Sequence, residues 1–259
     1  MSALSPRGDS RTAGRKATPI AVVTAMKEEF EAVLSRAREA RFRGTFVEAR
    51  IGTADVALCL TGDGSGNAGR AADMLCEAVR PAALLGAGVA GALSPGLAVG
   101  DVLVSRRIRD SHGDVAPPDV RLLAQALENS QATAGTFLTV ARPVVLASLK
   151  KALLQTLDDG GGPAAADMES SAWARAAASR GIPYLVARAI SDRAEEDLPE
   201  YLSRCVGSDG AIRRSSVVLS ALAQPATIPA LLRMRGRVLA CAEKLAVFLE
   251  DFLSGGPPS

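Results

Sequence analysis

Short apolar runs recur along most of this chain and are separated by glycine, proline and charged residues. Segments with apolar residues at helical spacing lie between them. The runs are too short for typical helices and predict strands buried on both faces. They lie at 19–25, 56–60, 81–85, 101–105, 135–140 and 183–192, with a further strand at 45–50. Helices are predicted at 26–38, 122–127, 144–157 and 170–178, and in the Leu-rich part from 212 to 252. This alternation predicts an α/β fold in which helices cover a largely parallel or mixed sheet.

The run at 183–192 ends in Ser191-Asp192 and is followed by a polar segment, 193–199. Ligands of open α/β sheets bind at the carboxyl ends of strands. A carboxylate that a rigid strand delivers there is therefore a candidate general acid. The alternative interpretation is that Asp192 caps the helix that follows.

Carboxylates recur at other junctions between predicted elements, namely at Glu29, Asp167 and Glu169. Near a helix start, a glutamate such as Glu29 also suits the helix dipole, which is the alternative explanation there. Two or three convergent carboxylates, with neither metal-ligand histidines nor a Ser-His pair, suit acid/base chemistry on a glycosidic bond.

The composition fits one large domain. The 259 residues are 48% hydrophobic, so the chain can bury a full core. We expect this domain to span 19–253, with a disordered lead at 1–18 and a disordered tail at 254–259. The lead has no apolar core of a signal peptide, and the apolar stretches are broken well short of a membrane span.

Charge and cysteine usage exclude several classes of function. The net charge of +2 gives no argument for nucleic-acid binding. His112 is the single histidine and lies in a predicted loop, so we expect no metal site. The cysteines are scattered without a Cys-x-x-Cys pair, which favours reduced core residues in a cytoplasmic protein. They are Cys59, Cys76, Cys205 and Cys241.

Two glycine-rich segments follow predicted strands. The segment 61–69 could turn backbone N–H groups toward an anion or a sugar hydroxyl. The segment 86–91 matches G-x-G-x-x-G and is expected to form a turn, so a dinucleotide fold must be weighed. Pro95 stops any helix there after barely one turn, and the next strand ends in Ser-Arg-Arg instead of an acidic residue. NAD binding is therefore disfavoured.

Four motifs occur in the order found in the nucleoside phosphorylase superfamily, which this chain resembles from about 19 to 193. They are Ala25-Met-Lys-Glu-Glu29, Gly86-Ala-Gly-Val-Ala-Gly91, Asp167-Met-Glu169 and Arg188-Ala-Ile-Ser-Asp192. The general match is to its methylthioadenosine/adenosylhomocysteine nucleosidase branch. The resemblance implies a three-layer α/β/α fold around a mixed, partly barrel-like sheet. It also implies cleavage of a ribosyl–purine bond without a cofactor, and a homo-oligomer.

The same resemblance implies roles for single residues. Asp192, oriented by Ser191, would protonate N7 of the departing purine. Glu169, behind Met168, would accept hydrogen bonds from the ribose hydroxyls, and Glu29 would activate water. The pocket would also include Gly88, Val89 and Val144. Val89 replaces a serine of the family, and 141–144 offers no aromatic residue to stack on the purine.

The part after Asp192, from 208 to 232, resembles the hopanoid-associated phosphorylase group. That group is linked to removal of adenine from adenosylhopane, and a loop after His112 that is shorter than in the nucleosidases suggests an open 5′ side. A methylthioadenosine/adenosylhomocysteine nucleosidase is one alternative. A non-catalytic nucleoside-binding protein is another, and one assay for adenine release separates a binder from an enzyme.

The nucleophile is left open between water and phosphate. Glu29 in a nucleosidase-like position favours water. Arg188, Arg70 and Gly64 could instead bind phosphate, which would then be a co-substrate. Arg188 inside a buried strand also suits the partner of a buried carboxylate. We favour hydrolysis, and we expect Asp192→Asn to abolish either reaction.

Overall fold

The structure is a computed structural model that describes residues 18–128, 132–157, 162–199, 202 and 228–255. The first strands are β1 (Ile20–Thr24), β2 (Arg38–Arg43), β3 (Phe46–Ile51), β4 (Ala54–Leu60) and β5 (Ala83–Ala92). The later strands are β6 (Val102–Asp110), β7 (Gly113–Asp114), β8 (Thr133–Thr139), β9 (Ala164–Asp167) and β10 (Tyr184–Asp192). The helices are α1 (Lys27–Ser35), α2 (Ser65–Val79), α3 (Val120–Glu128), α4 (Ala147–Thr156), α5 (Ser170–Ala178) and α6 (Ile228–Ser254).

The ten strands within the described residues belong to one mixed sheet. β5 pairs with β1, β9 and β10, and the ring β5–β10–β6–β8–β9 closes on itself. The strands β1, β4, β3 and β2 extend from this ring as an open sheet. The expected mixed, partly barrel-like sheet is confirmed.

Helices cover both faces of the sheet. α2 and α5 pack on one face, and α1, α3 and α6 pack on the other. In β1, Ala21 and Val23 join the first core, while Ile20 and Val22 join the second. Alternate residues of a strand point to opposite faces, so a strand that is apolar at every position needs a layer on each side. This confirms the three-layer α/β/α architecture.

The glycine-rich segment 86–91 was predicted to form a turn, and this prediction is wrong. The segment is the carboxyl half of β5. Glycine is needed there because neighbouring side chains cross the strand closely. A Cβ at Gly86 would lie 2.6 Å from the ring of Trp173. The segment therefore continues the sheet and opens no helix for a dinucleotide.

Other differences concern the ends of elements. The helix predicted at 26–38 ends at Ser35, and the charged segment Arg38–Arg43 forms the exposed edge strand β2. α2 begins inside the glycine-rich segment 61–69, at Ser65. Ser254, expected in the tail, is the last residue of α6. The positions 1–17 of the lead, 256–259 of the tail and 212–227 of the C-terminal helical segment lie outside the described residues.

Three of the four cysteines, Cys59, Cys76 and Cys241, are buried and unpaired, and Cys205 lies outside the described residues. His112 is exposed in the turn between β6 and β7. Among the helices that the structure describes, none is both long and apolar enough to cross a bilayer.

Candidate active site

A cavity of about 530 Å³ opens at the carboxyl ends of β5 and β10. β1 runs parallel to β5, and the residues that follow β1 also line the cavity. β8 runs parallel to β9, which pairs with the carboxyl end of β5, and the residues that follow β8 line it as well. Its polar lining includes Glu29, Asp63, Lys150, Asp167, Glu169, Arg188, Ser191, Asp192, Glu196 and Asp197. Its apolar lining includes Val89, Leu93, Val140, Val144, Met168, Leu198, Leu202, Met234 and Val238.

A β-bulge at Ser191 shapes the end of β10. Ile190 pairs with Ala90 and Asp192 with Gly91, so Ser191 is the extra residue in the ladder. Consecutive side chains of a regular strand point to opposite faces, and a bulge re-aims them. Both Ser191 and Asp192 consequently line the cavity. Residues 193–199 form no helix, so Asp192 does not cap one.

Glu29 is held by three main-chain N–H groups. Its Oε2 accepts hydrogen bonds from the N–H groups of Ala25 (3.1 Å) and Met26 (2.9 Å), and its Oε1 accepts one from Val89 (2.9 Å). It therefore caps its own helix, as the alternative explanation expected, and also lines the cavity. Burial raises the pKa of Glu29, and Arg188 and the three N–H donors oppose this shift. A buried carboxylate of raised basicity suits a general base.

Glu169 lies between β9 and α5 and is 6% exposed. Its Oε1 accepts a hydrogen bond from the N–H of Gly64 (2.9 Å), and its Oε2 accepts one from Nη2 of Arg188 (3.3 Å). Burial raises the pKa of Glu169 to about 7, against the opposing charge of Arg188. Near neutral pH this side chain is therefore available both as carboxylate and as acid.

Arg188 is a buried cation that forms ion pairs with both Asp167 and Glu169. It is 1% exposed and lies 3.4 Å from Asp167 through Nε and 3.3 Å from Glu169 through Nη2. Its Nη1 donates to the carbonyl of Val89 (3.2 Å), and its guanidinium stacks on Trp173 at 4.6 Å. A buried arginine needs carboxylate partners of this kind, so these contacts are compatible with the structural role considered for Arg188 above.

Asp192 is held by side chains. Its Oδ1 accepts a hydrogen bond from Oγ of Ser191 (2.6 Å), and its Oδ2 lies 2.5 Å from Nζ of Lys150. The side chain of Asp192 is 7% exposed and that of Lys150 is 1% exposed. Ser191 therefore contacts Asp192, as an orienting residue must.

Two glycines of β5 leave room for these groups. A Cβ at Gly88 would lie 2.3 Å from Nη1 of Arg188 and 3.1 Å from Oε1 of Glu29. A Cβ at Gly91 would lie 2.9 Å from Oδ2 of Asp192. Gly88 thus lies against Arg188 and Glu29, and Gly91 lies against Asp192.

The structure brings together most of the residues that the sequence singled out. Glu29, Val89, Val144, Met168, Glu169, Arg188, Ser191 and Asp192 line the cavity. Gly88 lies beneath Arg188 and Glu29. Gly64 is engaged with Glu169 through its N–H. Arg70 is exposed on α2, does not line the cavity and donates to Oδ1 of Asn67 (2.6 Å).

Sequence reasoning missed Lys150 and the wall formed by Met234, Arg237 and Val238 of α6. One signal for Lys150 was available, because this lysine is in helical register with the apolar residues Leu154 and Leu157 of the same face. Among the described residues, no cluster of His, Cys, Asp and Glu side chains is arranged to hold a metal ion.

Comparisons with known proteins bear on this site. The model of the phosphorylase superfamily matches residues 19–217. A 5′-methylthioadenosine/S-adenosylhomocysteine nucleosidase of Shewanella halifaxensis is 27% identical over 176 residues, 60% of this chain and 75% of that protein.

Two solved structures share the fold at low sequence identity. The S-adenosylhomocysteine nucleosidase of Streptococcus pyogenes, in complex with 5-methylthiotubericidin, superposes with a TM-score of 0.71 at 21% identity, covering 94% of this chain and 99% of its own. The futalosine hydrolase of Helicobacter pylori gives 0.69 at 18% identity, covering 92% and 98%.

Proposed function

Because this chain belongs to the phosphorylase superfamily, we propose that it hydrolyses the N-glycosidic bond of an adenine nucleoside. The membership agrees with the resemblance seen in the sequence motifs. The observation that supports the proposal best is that Glu29, Glu169 and Asp192, from three separate elements, line one cavity. The curated relative named above is a nucleosidase, which supports the same reaction.

Each carboxylate has one role in the proposed reaction. Asp192 gives a proton to N7 of the purine as the bond to C1′ breaks, so the base leaves as a neutral molecule. Glu169 accepts hydrogen bonds from the ribose hydroxyls and stabilises the positive charge that develops on the sugar. Glu29 accepts a proton from the water that attacks C1′. These side chains move every proton in this scheme, so it needs no cofactor.

Hydrolysis is favoured over phosphorolysis because the residues that could bind phosphate either lie outside the cavity lining or already have partners in the protein. Arg70 lies outside the cavity lining, and the N–H of Gly64 donates its hydrogen bond to Glu169. Arg188 is engaged by Asp167 and Glu169. A phosphate dianion beside Glu29 and Glu169 would meet like charges, whereas water would not.

The direct test is release of adenine from methylthioadenosine or adenosine by the purified chain in phosphate-free buffer, followed by chromatography. We expect adenine together with the free sugar, methylthioribose or ribose according to the substrate, and no increase in rate on adding phosphate. Strict dependence on phosphate would overturn hydrolysis, and binding without release of adenine would favour the non-catalytic alternative.

The Glu29→Gln variant tests the role of the base. We expect on the order of 10²-fold loss of hydrolysis, because the amide cannot accept a proton from water. Glu31→Gln is the matched control, since Glu31 lies on the same helix and pairs with Lys27 at the surface. A full rate in Glu29→Gln would remove Glu29 from the mechanism.

For the 5′ substituent, we propose a bulky apolar group, such as the hopane of adenosylhopane. The cavity volume and the apolar wall of Val144, Leu198, Met234 and Val238 support this class. The second candidate, methylthioadenosine or adenosylhomocysteine, is supported by the name of the curated relative. Comparing kcat/KM for adenosine, methylthioadenosine and a 5′-alkyl analogue decides between them, and a preference for the smallest substrate would overturn the apolar class.

A further inference from the structure

Lys150 is a buried cation outside the motifs of the chain. Its Nζ lies 2.5 Å from Oδ2 of Asp192, 2.7 Å from the carbonyl oxygen of Arg193 and 3.0 Å from that of Glu196. An ammonium group has three N–H donors, so these three partners occupy all of them. None is left for a substrate, and any effect of Lys150 on the reaction must pass through its partners.

The position of Lys150 in α4 is not explained by packing alone. It lies on the inward face of the helix, whereas the adjacent Lys151 is exposed. Burying an ammonium group is unfavourable unless it is paired and hydrogen-bonded. An apolar side chain would continue the inward face of α4 beside Leu154 at lower cost. A lysine there points to a function at Asp192.

We propose that Lys150 is the positioning residue for proton donation by Asp192. This inference rests on the proposed function. When Asp192 gives its proton to N7, the electrons of the C1′–N9 bond move to the purine and Asp192 becomes a carboxylate. The ammonium of Lys150 then faces a negative charge at 2.5 Å. It stabilises the form of Asp192 that proton transfer creates, and so lowers the barrier to departure of the base.

Lys150 also fixes the segment that follows Asp192. Its bonds to the carbonyls of Arg193 and Glu196 tie this segment to α4, and Asp197 accepts a hydrogen bond from the N–H of Ala147 (2.7 Å) at the start of the same helix. The carboxyl group of Asp192 is consequently oriented from two sides, by Ser191 and by Lys150.

The test compares two leaving groups in Lys150→Met, made in the full chain. Adenine needs a proton to leave, whereas 4-nitrophenolate does not. We expect kcat for methylthioadenosine to fall about 10²-fold, with little change in KM. For the 4-nitrophenyl riboside with the same 5′ group, kcat should stay within about twofold. Adding Lys150→Met to Asp192→Asn should change neither rate further, because Lys150 acts through Asp192.

Lys151→Met is the matched control and should retain both activities. Lys150→Gln, which keeps two N–H donors without the charge, replaces Lys150→Met if that variant does not fold, and the same selective loss is expected. Equal loss with both leaving groups, or no loss with either, would overturn the inference while leaving the proposed function intact. If the unmodified chain cleaves neither substrate, the proposed function fails and the inference fails with it.

Discussion

The two sides of the cavity hold their carboxylates by different means. On the sugar side, defined by Glu29, Glu169 and Arg188, main-chain N–H groups hold both carboxylates and one buried arginine lies beside them. On the base side, defined by Asp192, Ser191 and Lys150, two side chains hold the single carboxylate. The sugar side is thus built mainly from the backbone, and the base side from side chains.

This difference determines how each side can be disturbed. Replacing a side chain leaves the main-chain donors of the sugar side in place, so that side is disturbed by changing the carboxylates themselves or the glycine that makes room for them, Gly88. The base side can be dismantled by replacing one side chain, which leaves the sugar side intact. Substrates that differ only in their leaving group separate the two sides, because 4-nitrophenolate needs no proton from the base side.

The largest expected effect is that of Asp192→Asn. We predict a fall in kcat for methylthioadenosine of about 10²- to 10⁴-fold, the usual contribution of a general acid. The rate for the 4-nitrophenyl riboside should stay near that of the unmodified chain. Asp114→Asn, at an exposed ion pair, is the control. Retention of the full rate with methylthioadenosine would remove Asp192 from the reaction.

The glycines of β5 give the next largest effect. In Gly88→Ala the new methyl group would collide with Arg188 and displace the sugar side, so both substrates should react about 10- to 100-fold more slowly. Overpacking by one methyl group typically costs about 1–3 kcal/mol of stability. In Gly91→Ala the methyl group would meet Asp192 instead, so we expect slower release of adenine only.

The control for both glycine variants is Gly69→Ala, whose Cβ would make an ordinary 3.7 Å contact. Rates with both substrates and the Tm of each variant provide the measurement. If Gly88→Ala and Gly91→Ala changed the two substrates in the same proportion, the division into two sides would be wrong.

The acidic limb of the pH profile tests the sugar side. Because the pKa of Glu169 is raised to about 7, its carboxylate form is present above that pH and is lost as the pH falls. Since the ribose hydroxyls need the carboxylate as an acceptor, kcat/KM should fall about tenfold between pH 8 and pH 6. Glu169→Gln should have a lower kcat/KM and a flatter acidic limb, and an unchanged limb would assign it to another group.

The smallest expected effect is that of Ser191→Ala. The variant loses one hydrogen bond to Asp192, which contributes about 1 kcal/mol. We therefore expect kcat for methylthioadenosine to fall roughly fivefold. The 4-nitrophenyl riboside should be unaffected. A loss as large as that of Asp192→Asn would show that Ser191 does more than orient the carboxyl group.

Several contacts of the carboxylates that the sequence singled out are local in the chain. Glu29 bonds to the N–H of Met26, three residues away, and Asp167 accepts hydrogen bonds from the N–H groups of Glu169 and Ser170. Such contacts follow from the start of a helix and recur wherever the same short sequence folds in the same way. The strands likewise were predicted from apolar runs, because burial on both faces leaves a continuous pattern.

Only the tertiary structure decided the base side. Lys150 meets Asp192 across 42 residues of sequence, and the rotation of α4 selects it over the adjacent Lys151. The sequence by itself determined the alternation of strands and helices and the carboxylates at their junctions, since these depend on neighbouring residues. Which distant cation contacts Asp192, and that Arg70 lies away from the cavity, depend on how helices pack against the closed sheet. No local pattern encodes that packing.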